Sequence, residues 1–323
     1  MTTAPIRMRL FQSLLVLLCL PLCWACSEQK STDGYTDTLN EGTIPVAIDE
    51  SLRPIIDLEI QVFEGLHPLA AINPIYCSEV RAIELLLKDS VRVAITTRML
   101  SSSELKVFEA KKYLPRQEKL AIDGIALITH KDNKDSLISV PQLRKILTGE
   151  ITDWKQLNST SALGEINVAF DNTNSSTVRY ALDSICKGAS FATKRIYAQE
   201  TNRDVFDYVS KTRSAIGVIG VSWLDNSADT TNLSFKAGVR VMEVCAFDPI
   251  DPQVSYKPYQ AYLALRDYPL TRDLFVLCSD PRQALSTNFS AFLTSDRGQR
   301  IILKTGLVPA TQPIRLVHVK DEY

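Results

Sequence analysis

The chain has 323 residues, 45% of them hydrophobic and 23% charged, and a formal net charge of -1. That length exceeds one small core and fits two domains of ordinary size. The balanced charge speaks against a nucleic-acid partner or an acidic tail, and three isolated histidines, His67, His130 and His318, lend no support to a metal site or a catalytic histidine.

The first residues read as a targeting segment. Arg7 and Arg9 give a basic start, and Leu10–Leu22 is an apolar run of signal-peptide length, short for a bilayer span. It ends in 22 LCWAC 26, where Ala25 precedes Cys26. The pattern is similar to the lipobox of bacterial lipoproteins, in which the signal is cut before a cysteine that then carries lipid, although Cys23 stands where Leu is usual. Residues 1–25 are therefore expected to be removed as a signal peptide. Cys26 is expected to be lipidated and to hold an otherwise soluble protein at a membrane, in the periplasm of the cell envelope. Losing two arginines and no acids gives a mature charge of (36 - 2) - 37 = -3. Residues 26–41 then form a polar, flexible tether behind the lipidated Cys26. Of seven cysteines, Cys77, Cys186, Cys245 and Cys278 remain; they are far apart, and both disulfides and buried thiols stay open.

Structure begins with 43 TIPVAI 48, a β-prone run. Helical spacing follows in 52 LRPIIDLEIQVFEG 65, then a strand in 69 LAAINPIY 76. Ser78 opens a helix over 79–89, and 91 VRVAITT 97 is a third strand. Further strands are expected at 122–130, 166–170, 215–224 and 273–279, and helices at 140–149, 202–211 and 287–306. Strand–helix alternation in two blocks, before and after about residue 121, implies two α/β lobes with mostly parallel sheets. Ligands in such folds bind beyond the carboxyl ends of the strands.

Three strand-to-helix junctions place a hydroxyl near a helix start: Ser51, Ser78, and the run Ser175, Ser176, Thr177 in 170 FDNTNSSTVRY 180. Helix N-termini carry free N–H groups and a partial positive charge, so they hold anions, and hydroxyls add donors. Each single hydroxyl is equally explained as a helix cap, but the last run has more donors than a cap needs. Converging on one cleft, the three junctions would make a tetrahedral-oxyanion site. Trp154 reads as packing, and Gly217 and Gly220 as places of close backbone approach.

The segments 123 DGIALITHKDN 133, 143 LRKILTGEITDWKQL 157, the S-S-T run, 215 AIGVIG 220, 268 YPLTRDLFVL 277 and 289 FSAFLTSDRGQRIILKTGLVP 309 carry a resemblance over nearly the whole mature chain. It resembles the phosphate-binding lipoproteins and periplasmic proteins that feed ABC phosphate transporters, in the type II periplasmic-binding-protein superfamily. The resemblance implies a two-lobed fold, each lobe a mostly parallel sheet flanked by helices, with two crossover strands: lobe one from 41–121 plus 270–323, lobe two from 122–269. It implies phosphate or a related oxyanion as ligand, an ABC transporter permease as partner, no cofactor or metal, and a monomer.

The resemblance carries over unevenly to single residues. The family's loop hydroxyl falls on Ser51, the second-helix serine on Ser78, and its Ser-Gly-Thr run on Ser175, Ser176 and Thr177. Asp171 stands where the family has an Arg four residues before that run. The carboxylate that accepts the anion's proton falls at about Thr97, with Arg98 beside it. Proton acceptance would then move to Asp171, Asp49 or Glu50, and Arg98, ahead of Arg179, would supply charge.

Two other readings stand against a phosphate carrier. One is the same fold serving another ligand, or an envelope sensor or surface-binding protein. The other is a serine-nucleophile enzyme, which the absence of G-x-S-x-G and of a histidine in any matching motif disfavours, so no catalytic residue is assigned.

Overall fold

The computed structural model describes residues 36–314 except 193 and 227–233. The signal peptide, Cys26 and all but the end of the tether lie outside the described residues, and the described residues from Asp37 on are one compact unit.

The chain runs β1 (Gly42–Asp49), a 3-10 turn at Glu50–Leu52, α1 (Arg53–Leu66), β2 (Ala70–Cys77), α2 (Glu79–Leu87), β3 (Val93–Thr96) and α3 (Ser102–Ala110). Then β4 (Arg116–His130) leads to β5 (Leu137–Ser139), α4 (Val140–Leu147), β6 (Asn167–Phe170), α5 (Ser176–Tyr180), β7 (Ile196–Ala198), α6 (Asn202–Lys211) and β8 (Ala215–Gly220). The remainder is β9 (Val239–Val241), β10 (Glu243–Cys245), β11 (Ser255–Tyr256), α7 (Gln260–Leu265), β12 (Thr271–Cys278), α8 (Leu285–Thr294), α9 (Asp296–Lys304) and β13 (Val308–Pro309).

The main sheet has the order β2-β1-β3-β12-β4-β8-β6-β7. Its outer strands are parallel: β1 with β2 and β3 on one side, β6 with β7 and β8 on the other. Between them β12 and β4 run antiparallel to their neighbours. Strand β4 spends residues 116–124 on β12 and residues 125–129 on β8, so one long strand carries the sheet from one wing to the other. Helices flank both wings, the α/β architecture that the alternation implies.

One core cluster holds Ile44, Val46, Ile48, Ile56, Phe63 and Phe289 and continues across the sheet to Ile128, Val205, Val209 and Ile219; a second holds Leu143, Trp154, Val168, Phe170, Ile216 and Val218. Trp154 is buried and donates from Nε1 to the Ser214 carbonyl, 2.9 Å. A Cβ on Gly217 would meet Ile128, Val209 and Val205 at 2.8–2.9 Å, and one on Gly220 would press on the Arg272 guanidinium and the Ser51 carbonyl, both 3.1 Å.

Several boundaries differ from the sequence reading. Strand β4 starts six residues earlier than expected, because its first half alternates exposure along the β12 edge. The single helix expected over 287–306 is two, α8 and α9. Ser295 adopts extended backbone (φ -71°, ψ 166°) and caps α9 by accepting from the Gly298 amide. The α-helix that starts at Ser176 within the S-S-T run lasts five residues and continues as a π-turn at Ala181–Ile185. All four described cysteines are free, Cys77 half-buried and the others buried.

Candidate functional site

The carboxyl ends of β1, β3 and β6, joined by one residue of β12, build a buried polar cluster. Asp49 closes β1 and caps the following turn, accepting the Ser51 amide at 2.9 Å and the Ser51 hydroxyl as well. Ser51 thereby points inward with no exposed surface. Strand β12 places Arg272, Leu274 and Val276 on its buried face by the two-residue period of a strand. The Arg272 guanidinium is 3% exposed. It donates from Nη2 to Ser51 Oγ at 2.9 Å, from Nη1 to Ser176 Oγ at 2.7 Å, and from Nε to Asp123 Oδ2 at 2.9 Å. Ser51 Oγ and Ser176 Oγ lie 3.3 Å apart. One planar fork thus gathers hydroxyls from the first and third junctions, with Asp123 of β4 balancing its charge.

The rest of the S-S-T run faces Asp171. Ser175 caps α5 by accepting from the Val178 amide at 3.2 Å, and its hydroxyl meets Asp171 Oδ1 at 2.5 Å. Thr177 also donates to Asp171 Oδ1. Asn202, at the start of α6, donates from Nδ2 to Asp171 Oδ2 (3.1 Å) and to Glu50 Oε2 (2.7 Å), and its Oδ1 accepts the Gly220 amide.

The second junction contributes a carboxylate instead of a hydroxyl. Ser78 accepts from the Arg81 amide at 3.4 Å and stays a half-buried cap of α2, outside the cluster. Its neighbour Glu79 is buried, accepts the Thr97 amide (2.8 Å) and hydroxyl (2.7 Å), and meets Arg179 Nε at 2.5 Å. Arg179 also donates to Thr97 Oγ1 at 2.8 Å. Arg98 turns away, forking onto both oxygens of Glu104 at 2.8 Å, with its Nε 4.0 Å from Glu79. Of the seven residues singled out in the sequence, Ser51 and Ser176 meet at Arg272, and Ser175 and Thr177 meet at Asp171. Thr97 joins Glu79 and Arg179, while Ser78 and Arg98 stand apart.

Burial sets the electrostatics. Five carboxylates, Asp49, Glu50, Glu79, Asp123 and Asp171, are each 7% exposed or less. Burial, then the charge of Glu79, lifts Asp49 to about 6, against the pull of Arg272 and the Ser51 hydrogen bond. Burial likewise raises Glu50, Asp123 and Asp171 despite their donors. Glu79 ends below the ordinary range: burial would raise it, but the bond and charge of Arg179 and the two bonds from Thr97 outweigh that. Burial opposes the charge on Arg272, yet Asp123 and Asp49 hold it protonated. Asp49 Oδ2 and Glu50 Oε1 are buried acceptors with no hydrogen-bond partner. A partnerless buried oxygen costs free energy unless a donor reaches it.

Cavities of about 580, 460 and 390 Å³ lie elsewhere, and Ser51, Ser176 and Arg272 are all buried. Among the described residues no group of His, Cys, Asp and Glu could hold a metal ion, and no helix is long and apolar enough to cross a membrane. Arg272 and Glu79 were missed in the sequence, although the signal was present. A charged residue on the apolar parity of TRDLFVLC marks Arg272, and an acid directly after a capping serine marks Glu79.

The family model described as a PBP superfamily domain matches residues 33–297. The chain belongs to the PBP superfamily. Among curated PBP relatives, the phosphate-binding protein PstS of Pseudomonas aeruginosa is 21% identical over 313 residues, covering 92% of this chain and 90% of its own. PstS of Borreliella burgdorferi is 24% identical over 305 residues, covering 91% and 96%. Among solved PBP structures, a putative phosphate ABC transporter substrate-binding protein with bound phosphate from Clostridium perfringens shares the fold with a TM-score of 0.68 at 20% identity, over 84% of this chain and 100% of that one.

Proposed function

We propose that this chain is a cell-envelope solute-binding protein that takes phosphate, or a closely related tetrahedral oxyanion, between its two wings and hands it to an ABC importer. The relatives named phosphate-binding protein, which match over most of both chains, support that reading. The observation that carries it is the Arg272 fork, whose Nη1 and Nη2 donate to Ser176 and Ser51 from opposite wings. An oxyanion inserted there replaces hydroxyl acceptors of the guanidinium with charged ones, so that both partners of each bond are ionised. Ser51, Ser176 and Arg272 are the proposed donors. Ser175 and Thr177 are held in place by Asp171, and the free amides of the short helix complete the set.

Asp49 is the proposed acceptor of the anion's proton. Its Oδ2 is buried and unpartnered beside the donor set, and a carboxylate there favours a protonated anion over sulfate, whose lone pairs would face its own. Thr97, which stands about where the resemblance puts the family's proton-accepting carboxylate, bonds to Glu79 and Arg179 instead. In this reading Cys26 carries the lipid, lobe one comprises 41–121 plus 270–323 and lobe two 122–269. The protein is a monomer, and the lobes part to admit the anion. It binds without turning its ligand over.

Calorimetry of the mature chain with phosphate, arsenate, sulfate and molybdate tests the reading. Phosphate and arsenate should bind at micromolar Kd or better, and sulfate at least tenfold more weakly. Equal affinity for sulfate would remove Asp49 from its role, and no binding of any of the four would overturn the oxyanion reading.

A further inference from the structure

Helix α1 carries apolar residues on two faces. Ile56, Ile60 and Phe63 are buried against the sheet. On the outer side Leu58, Val62 and Leu66, at the i, i+4, i+8 spacing that puts side chains in one row, are 42, 40 and 41% exposed. Leu69, just past the helix, continues the row and is 72% exposed. An outward-facing helical row in a soluble domain is ordinarily polar. Of the carboxylates on the same helix, Asp57 is engaged with Arg53 and Tyr76 and Glu64 with the Ile72 amide, while Glu59 is buried on the opposite side.

The row lies where the tether joins the domain. Gly42 donates its amide to the Leu69 carbonyl at 3.0 Å, and a Cβ on Gly42 would stand 2.9 Å from the Cα of Asp37. Asp37 is itself fastened, accepting the Leu285 amide at the start of α8 and pairing with Arg282 at 3.3 Å. Ten polar residues, 27–36, separate it from Cys26. A chain of that length reaches at most about 40 Å and averages about 20 Å. Strand β1 then runs from Gly42 to Asp49, so Ser51 lies about 25 Å away at the opposite end of the strand.

We propose that the face formed by Leu58, Val62, Leu66 and Leu69 rests on the lipid bilayer to which Cys26 ties the chain. This rests on the lipid-anchor reading of Cys26 given above. The short tether keeps that end of the domain within reach of the bilayer, and a row of four apolar side chains with no basic cluster suits shallow burial in the interface, weakly dependent on salt. In this pose the oxyanion cluster faces away from the membrane that holds the protein, and the domain lifts off to meet a transporter.

The test uses the mature chain, residues 26–323, coupled through the Cys26 thiol to a maleimide-bearing lipid in phosphatidylethanolamine–phosphatidylglycerol vesicles with brominated acyl chains. Coupling favours Cys26 because burial pushes the half-buried Cys77 thiol up to about 11 and the other three cysteines are buried. The emission of Leu69→Trp, above the background of the native tryptophans, should fall by about half, with little change on adding salt. That of Phe247→Trp, another exposed position, should stay constant. Changing Leu58, Val62 and Leu66 to Gln in the Leu69→Trp chain should restore the lost emission. Equal quenching at both positions, or none at 69, overturns the proposal. So does shielding of Leu69→Trp from aqueous iodide in the uncoupled chain, which would mean that a second copy covers the face. Fatty-acid labelling in cells that Cys26→Ser leaves unchanged would overturn the anchor reading alone, because the vesicle result uses a chemical tether.

Discussion

Arg179 Nε lies 2.5 Å from Glu79 Oε2, an ion pair between the helix after β6 and the helix after β2. It joins the two wings of the sheet beside the Ser51–Ser176 contact, and the Glu79 side chain is 2% exposed against 32% for Arg179. Removing the arginine leaves a buried carboxylate with the two Thr97 bonds and the Arg98 Nε at 4.0 Å. Breaking a fully buried pair costs about 3–5 kcal/mol, and the partial exposure of Arg179 reduces that to roughly 1–3 kcal/mol. Arg179→Ala should lower the urea midpoint accordingly, and Glu79→Gln in the same chain should recover part of the loss. An additive loss in the double variant would mean that the pair is not coupled.

The hydroxyls divide into those on Arg272 and those on Asp171, and the two groups should respond differently. Ser176→Ala deletes a proposed anion donor, and the loss of one charged hydrogen bond, roughly 1.5–3 kcal/mol, should weaken phosphate binding about tenfold to a hundredfold. Thr177→Ala removes a contact to Asp171 and should weaken binding less. Calorimetry on both, with apo thermal melts, separates the cases. A larger effect at Thr177 would mean that the Asp171 side of the run holds the anion.

Arg98→Ala should leave anion affinity within about twofold, because its guanidinium is already forked onto Glu104. The hydrogen bonds of Arg98, and then its charge, hold Glu104 at about 2, so the variant should instead lose stability at pH 7, and lose less of it at pH 3. The depressed carboxyl favours the folded chain above its unfolded value of 4.5, and that benefit fades as pH falls toward 2. Melts at pH 7 and pH 3 read the difference; a tenfold loss of phosphate affinity would return Arg98 to the site.

Strands β1 to β4, β6, β8 and β12, their alternation with helices and the hydroxyl at each junction were legible because each is local: apolar runs of strand length, capping residues and glycine stops. What stayed hidden depends on partners far apart in the chain. Arg272 finds Ser51 and Ser176 across 221 and 96 residues, and Arg179 finds Glu79 across 100. Arg98 looked suitable because it ends a strand, but Glu104, the capping-box residue of α3, stands six residues on and claims it. The division of 287–306 into two helices rests on Ser295, whose capping of α9 outweighs the continuous apolar spacing.

Glu59 on α1 provides a test of buried charge away from the site. It has no exposed surface and neither of its carboxyl oxygens has a hydrogen-bond partner; burial alone pushes it from 4.5 to about 9. The folded chain therefore keeps this proton where the unfolded chain gives it up. The unfolded state sheds it near 4.5 and the folded state near 9, so between those values rising pH favours unfolding. Asp49, lifted from 3.8 to about 6, works in the same direction over a lower window. The apo protein should thus melt several degrees higher at pH 5 than at pH 8. Glu59→Gln, which cannot ionise, should flatten the slope above pH 6 and leave the Asp49 portion below it. Glu59→Leu should do the same and also remove the two orphaned oxygens, so its melting temperature at pH 8 should exceed that of the parent chain. A parent melting temperature that rises from pH 5 to pH 8, or a slope unchanged in both variants, would show that Glu59 is ionised in the fold with a partner of its own.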